Sequence, residues 1–153
     1  MGVIVMKDKN EIDIGKFIKV FNNMLDSKAN RDFRKWDLTC SQHAIIVYLF
    51  DHQSVETTQR DLEQTFSLKN PTVTGLLNLL ESKGMIQRVP NPKDRRSNLI
   101  KLTDKSLSLE KQLTASRMRA EEAILKGFSQ EEKQQLETFM RRLMDNIQNF
   151  FNE

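Results

Sequence analysis

The sequence predicts a mostly α-helical fold with one small β-hairpin set between helical ends. Three observations predict it. Apolar residues recur at helical spacing from Glu11 onward and again from Asp104 toward the C-terminus. Two short helical patterns, residues 58–66 and 70–83, are joined by the tight connection Ser67-Leu68-Lys69. Gly84 then stops the second pattern, and two short strands enclose the basic loop Asn91-Pro-Lys-Asp-Arg-Arg-Ser-Asn98. Two helices at an angle followed by a basic hairpin make a winged helix-turn-helix. The expected division is residues 1–38 as an N-terminal dimerisation helix, 39–103 as the winged helix-turn-helix, and 104–153 as C-terminal dimerisation helices.

Residues 1–10 offer little to bury. From Glu11 a helix is expected, with Ile14, Phe17, Ile18, Phe21, Met24 and Leu25 on one face. That stripe is rich in aromatics and needs another surface to cover it. Residues 27–35 are polar and are expected to lead out of the helix. Trp36 then supplies a large anchor, read as packing between helices rather than as a ligand platform.

Thr39 with Gln42 forms a capping box that opens a second helix through Ile45, Ile46, Tyr48, Leu49 and Phe50. This helix is apolar nearly all round, which places it centrally. Cys40 falls in its first turn, where a helix dipole favours a thiolate. With no basic partner or resolving cysteine in evidence, a passive small residue is the preferred reading and oxidant sensing the alternative. His43 is read as a partly buried structural histidine, with an acidic ligand as the other option.

Thr58 and Asp61 repeat the capping pattern, the acid suiting the positive end of the helix dipole. Asn70 is expected to cap the next helix, and Pro71 fits its first turn because its missing N–H has no partner there. Gly84 suits a left-handed residue after the helix, with Met85 folding back on Leu80 in a Schellman stop. Val73, Leu76, Leu77 and Leu80 share one face, the buried one. Pro71, Thr72, Thr74, Gly75 and Asn78 point the other way. Such a small, polar face can enter a groove and approach base edges.

The hairpin carries the charge: Arg88, Lys93, Arg95, Arg96 and Lys101 face one acid of the hairpin itself, Asp94. Residues 57–103 hold eight Lys and Arg against four Asp and Glu, so the whole net charge of +3 is concentrated there. That is the footprint of a surface that binds the phosphates of double-stranded DNA.

Thr103 is expected to cap a long helix through Leu107, Leu109, Leu113, Met118, Ala120, Ile124 and Leu125, ending near Gly127. Ser129 and Glu132 form a third capping box. The last helix shows Leu136, Phe139, Met140, Leu143, Met144, Ile147, Phe150 and Phe151. A solitary helix pair cannot hide this face and the first helix's stripe together, so mutual burial in a homodimer is expected. A dimer would also present two reading heads to a palindromic site.

Other classes find little support. No apolar run approaches the roughly 20 residues of a membrane span, and Gly2-Val-Ile-Val-Met6 is too short for a signal-peptide core, so a cytoplasmic location with no membrane association is expected. One cysteine excludes an intramolecular disulfide, and with His43 and His52 alone beside it no closed zinc site is expected. There is no Gly-rich phosphate loop, metalloprotease helix or nucleophile elbow, so neither an enzyme nor a cofactor is expected.

With its helices in this order the chain resembles the MarR family of transcription regulators over nearly its full length. Asp94-Arg-Arg96-Ser97 followed by Leu99-Ile-Lys-Leu102-Thr103 is similar to the family's wing signature. Thr72-Val-Thr74 leading to Leu80-Glu81-Ser-Lys-Gly84-Met-Ile86 resembles its recognition helix and exit, and Leu38-Thr39 with Gln42 the start of its second helix. The resemblance implies a mostly α homodimer joined through its N- and C-terminal helices. It implies that Lys69, Asn70, Thr72 and Thr74 lie at the major groove, and that Arg96, Arg95 and Lys93 reach the minor groove or its phosphates. It implies that Asp94 orients the wing by pairing with an arginine. Asn78 and Arg88 complete the candidate DNA-binding set.

Many relatives also bind small aromatic acids or phenolics. The corresponding lining here would be Phe17, Phe21, His43 and Val47, facing the long helix near Arg117; core packing is the competing reading. Gly75 and Leu79 occupy positions where many relatives carry arginine, which leaves base readout thin and shifts affinity toward the wing. The leading expectation is a repressor released from a palindromic operator by a small molecule or stress signal. The alternative is an architectural DNA-binding protein with no effector.

Overall fold

A computed structural model describes residues 13–152. The expected start of the first helix at Glu11 lies outside them. Helix α1 (Ile14–Phe33) begins where the Asp13 carboxylate accepts the Lys16 N–H at 2.8 Å. A 3-10 turn (Arg34–Trp36) follows, then α2 (Cys40–Asp51), α3 (Gln59–Thr65) and α4 (Asn70–Ser82). Strands β1 (Ile86–Pro90) and β2 (Asn98–Leu102) precede α5 (Asp104–Ile124) and α6 (Gln130–Asn152). One compact unit runs to Glu110 and a second begins at Lys111.

Helix α2 is the centre of the first unit. Ile45, Ile46, Val47, Leu49 and Phe50 are all buried, and the helix touches α1, α4 and β2. Its capping box is formed as the sequence implies: Gln42 N–H donates to Thr39 Oγ1 at 3.3 Å, and Gln42 Oε1 accepts the Thr39 N–H at 3.2 Å. Leu62 of α3 and Val73, Leu77 and Leu80 of α4 complete the core with Met85, Ile86, Leu99 and Ile100. Each such side chain contributes about 1.5–3 kcal/mol by leaving water.

Helix α1 does not end where its polar stretch begins. It continues to Phe33, whose buried ring stacks on His43 with centroids 3.9 Å apart. Asn30 Oδ1 accepts the Cys40 N–H at 2.7 Å, so α1 satisfies one of the orphan donors at the start of α2. These long-range contacts hold residues 27–33 helical. Trp36 is half-buried and packs beside Phe33 with ring centroids 6.2 Å apart, and the Lys35 ammonium lies over the Trp36 ring at 4.0 Å from its centroid.

Asp37 reverses the chain in the left-handed region at φ 55°. Lys83, at the end of α4, clasps this corner. Its ammonium donates to the Asp37 carbonyl and to Gln42 Oε1 at 3.0 Å, and lies 3.5 Å from the Asp37 carboxylate.

In the second unit Ser129 and Glu132 form the third capping box, at 2.7 and 3.2 Å. Gly127, at φ 89°, makes the turn before it. Helix α6 leaves Phe139, Met140, Met144, Ile147 and Phe150 exposed, along one face. Among the described residues no helix is long and apolar enough to cross a membrane.

Candidate nucleic-acid interface

The two helices of the reading head are set by local chemistry. Thr58 and Asp61 close a capping box, with the Thr58 N–H donating to Asp61 Oδ2 at 2.7 Å. Ser67, at φ 50°, turns the chain sharply between α3 and α4. The cap of α4 differs from expectation. Lys69, not Asn70, is the N-cap, and no side chain caps the helix. The Asn70 amide is engaged elsewhere, donating to Glu63 Oε1 at 2.7 Å. At the other end the Schellman stop is complete: Met85 N–H donates to Leu80 O and Gly84 N–H to Glu81 O, both at 2.9 Å, with Gly84 at φ 65°.

Helix α4 buries Val73, Leu77 and Leu80, while Leu76 is half-buried. Pro71, Thr72, Gly75, Asn78 and Leu79 are exposed on its outer side, and Thr74 is half-buried beside them. A side chain at Gly75 would meet nothing within 4 Å, so packing does not demand glycine there. Gly75 and Leu79 together leave the outer face uncharged.

The wing is an antiparallel pair in which Ile86 faces Leu102 and Pro90 faces Asn98. It is tied to the head by the Ile100 N–H, which donates to Thr57 O at 2.8 Å. Its loop is closed by its own side chains. The buried Asn91 donates to Ser97 Oγ at 3.0 Å and accepts the Lys93 N–H at 2.9 Å. Asp94 Oδ1 accepts the Arg96 N–H at 3.0 Å and its Nε–H at 3.4 Å, the expected pairing of this acid with an arginine.

The fold gives the wing cations more acids than the hairpin sequence contains. Arg88 pairs with Glu81 of α4 at 2.6 Å, and Lys93 with Glu56 at 2.6 Å. The Lys93 ammonium, with Lys101 beyond it, holds the Glu56 carboxyl below the usual range. Arg95 and Arg96 project at the exposed tip, the Arg96 side chain 93% exposed. Lys69, Asn70, Thr72 and Asn78 are exposed as well.

The expected effector residues are not presented alike. Phe17 and Phe21 are 43% and 51% exposed on α1, whereas His43 and Val47 are buried in α2, His43 beneath the Phe33 ring. Arg117 lies on the part of α5 that belongs to the second unit. A separate cleft of about 170 Å³ lies at the base of the wing, lined by Leu49, His52, Gln53, Thr57, Ile100 and Lys101 among others. It is smaller than the roughly 300 Å³ of an ordinary ligand pocket. Cys40 is half-buried, and burial, then the hydrogen bond to Asp26 and that residue's charge, push its thiol up to about 11. Burial and Asp26 thus both disfavour the thiolate that oxidant sensing would need.

A sequence model of the MarR family matches residues 38–97. The crystal structure of the transcription regulator MarR from Oenococcus oeni is 33% identical, with a TM-score of 0.77, covering 87% of this chain and 99% of that one. The chain belongs to the MarR family. It is therefore a winged-helix transcription regulator and not an enzyme. An HTH-type transcriptional regulator of Bacillus subtilis, YybA, is 26% identical over 136 residues, 89% of each chain. The MepR–DNA complex of S. aureus matches at 26% identity and a TM-score of 0.82, over 90% of this chain and 99% of that one. Within the MarR-family frame, the wing signature from Asp94 to Ser97 is the loop that Asn91 and Asp94 close.

Proposed function

We propose that this MarR-family chain is a cytoplasmic repressor that binds palindromic double-stranded DNA as a homodimer. The observation that carries the reading is the pairing of an uncovered, uncharged outer face on α4 with a braced loop that projects Arg95 and Arg96. The first suits base edges in a major groove, the second the negative potential of a narrow minor groove. S. aureus MepR, a protein of the same fold, has been solved on DNA, which supports the same use here. Residues 39–103 would form the reading head, with residues 1–38 and 104–153 joining two copies. The exposed apolar face of α6 supports that assembly.

Release by a small aromatic or phenolic effector, or by a stress signal, completes the proposal. Phe17 and Phe21 offer exposed rings for such a ligand, with His43, Val47 and Arg117 as the remaining candidates. A second reading, an architectural protein that senses nothing, is favoured by the uncharged positions Gly75 and Leu79. Binding to a palindrome beside the protein's own gene, compared with scrambled duplex over a range of salt, separates the two. A repressor prefers the palindrome by orders of magnitude. Equal affinity for both supports the architectural reading, and no binding at low salt overturns both.

A further inference from the structure

A relay of hydrogen bonds joins α3 to the outer side of α4. Glu63 Oε1 accepts Nε2–H of Gln59 at 2.9 Å and Nδ2–H of Asn70 at 2.7 Å. Gln59 Nε2 gives its other proton to Thr74 Oγ1 at 2.8 Å. An ionised carboxylate only accepts, so both of its amide partners must turn their nitrogens toward it. The orientation then propagates. Both Nε2 protons of Gln59 are engaged, so Thr74 Oγ1 is an acceptor on that side and its own O–H points elsewhere. The Asn70 carbonyl oxygen is likewise turned away from Glu63.

We infer that Glu63 is a positioning residue that fixes which hydrogen-bonding groups α4 shows to a base pair, a donor at Thr74 and an acceptor at Asn70. The inference rests on the DNA-reading role proposed for α4. A donor there suits purine N7, guanine O6 or thymine O4, and an acceptor suits the amino group of adenine or cytosine. Were Glu63 absent, Gln59 and Asn70 would be free to flip, and each position would accept either kind of partner.

Charge alone predicts the opposite behaviour. Glu63 places a negative group beside the face proposed to meet polyanionic DNA, so as a mere charge its removal would tighten binding to every duplex alike. The test is a selection from random duplex by the full-length wild type. The affinities of the selected and a scrambled duplex are then measured at one salt concentration for wild type, Glu63→Ala, Glu63→Gln and Gln59→Ala. Glu63→Ala is expected to lower the selected-to-scrambled ratio by about tenfold or more in each half-site. Glu63→Gln, whose amide oxygen still accepts, is expected to restore most of it. Gln59→Ala, which keeps Glu63 and Asn70 paired, should relax preference at the Thr74 contact alone and provides the test even if Glu63→Ala folds poorly. An unchanged ratio in Gln59→Ala and in folded Glu63 variants overturns the inference and leaves the DNA-reading role intact. A wild type that selects no sequence overturns that role itself.

Discussion

Glu81 of α4 holds Arg88 of β1 twice: Oε1 accepts the Arg88 backbone N–H at 3.1 Å and Oε2 meets the guanidinium at 2.6 Å. Six residues, the Gly84 stop among them, lie between the two, so the pair locks the angle at which the wing leaves the helix. Arg88 retains only 20% side-chain exposure and Glu81 40%, a setting in which an ion pair is worth more than on an open surface. The charge of Arg88 is thus committed within the fold before any DNA arrives. In a double-mutant cycle of Glu81→Ala and Arg88→Ala, urea unfolding should give a coupling of about 1 kcal/mol. Strict additivity would mean that the pair does not brace the wing.

The wing and the helix should respond differently to salt. Arg96 projects with its side chain 93% exposed, and each phosphate neutralised adds about 0.9 to the log–log salt slope. Arg96→Ala should flatten the slope by about two units per dimer and weaken binding to most sequences alike. Thr72→Ala should leave the slope unchanged and relax base preference by roughly 1–3 kcal/mol where the contact is direct. Unaltered affinity and slope in Arg96→Ala would show that the wing does not touch DNA.

The helix boundaries were legible wherever one residue bonds another three positions away. Thr39 with Gln42, Thr58 with Asp61 and Ser129 with Glu132 all form the expected boxes, because their chemistry is complete within a single turn. What escaped the sequence depends on partners far along the chain. Residues 27–33 read as an exit until Phe33 is seen beneath His43 and Asn30 beside Cys40. Asn70 has the chemistry of a cap, yet Glu63 takes its amide. The hairpin sequence offers its cations Asp94 alone, whereas the fold brings Glu56 to Lys93 across a separation of 37 residues. The charged tip of the candidate site was therefore visible in sequence, and its internal bracing was not.

Assembly can be tested on α6. Ile147 is 55% exposed and Phe150 72%, one turn apart on a face that continues through Phe139, Met140 and Met144. An apolar stripe of this length is costly to leave in water. Sedimentation at micromolar concentration should show a dimer, and the double change Ile147→Asp with Phe150→Asp should give monomer, aggregate or unfolded chain. A well-folded variant that sediments as a dimer would remove α6 from the interface.

Cys40 makes a prediction about pH. Its thiol, ordinarily near 9.0, is pushed up to about 11, first by burial and then by Asp26. At pH 7.5 roughly one thiol in three thousand is ionised, so iodoacetamide should label the folded protein slowly. The rate should climb about tenfold per pH unit through pH 10 without levelling. Asp26→Asn removes the carboxylate's charge but not the burial, so labelling should quicken and the thiol should remain above 9.0. Stability follows the same linkage. Between pH 9.0 and 11 the unfolded chain has lost the thiol proton while the folded chain keeps it. The folded state therefore binds more protons, and this group's contribution to stability falls as pH rises through that window. A labelling rate that levels off below pH 9 would place the thiolate within ordinary reach and return Cys40 to the list of oxidant sensors.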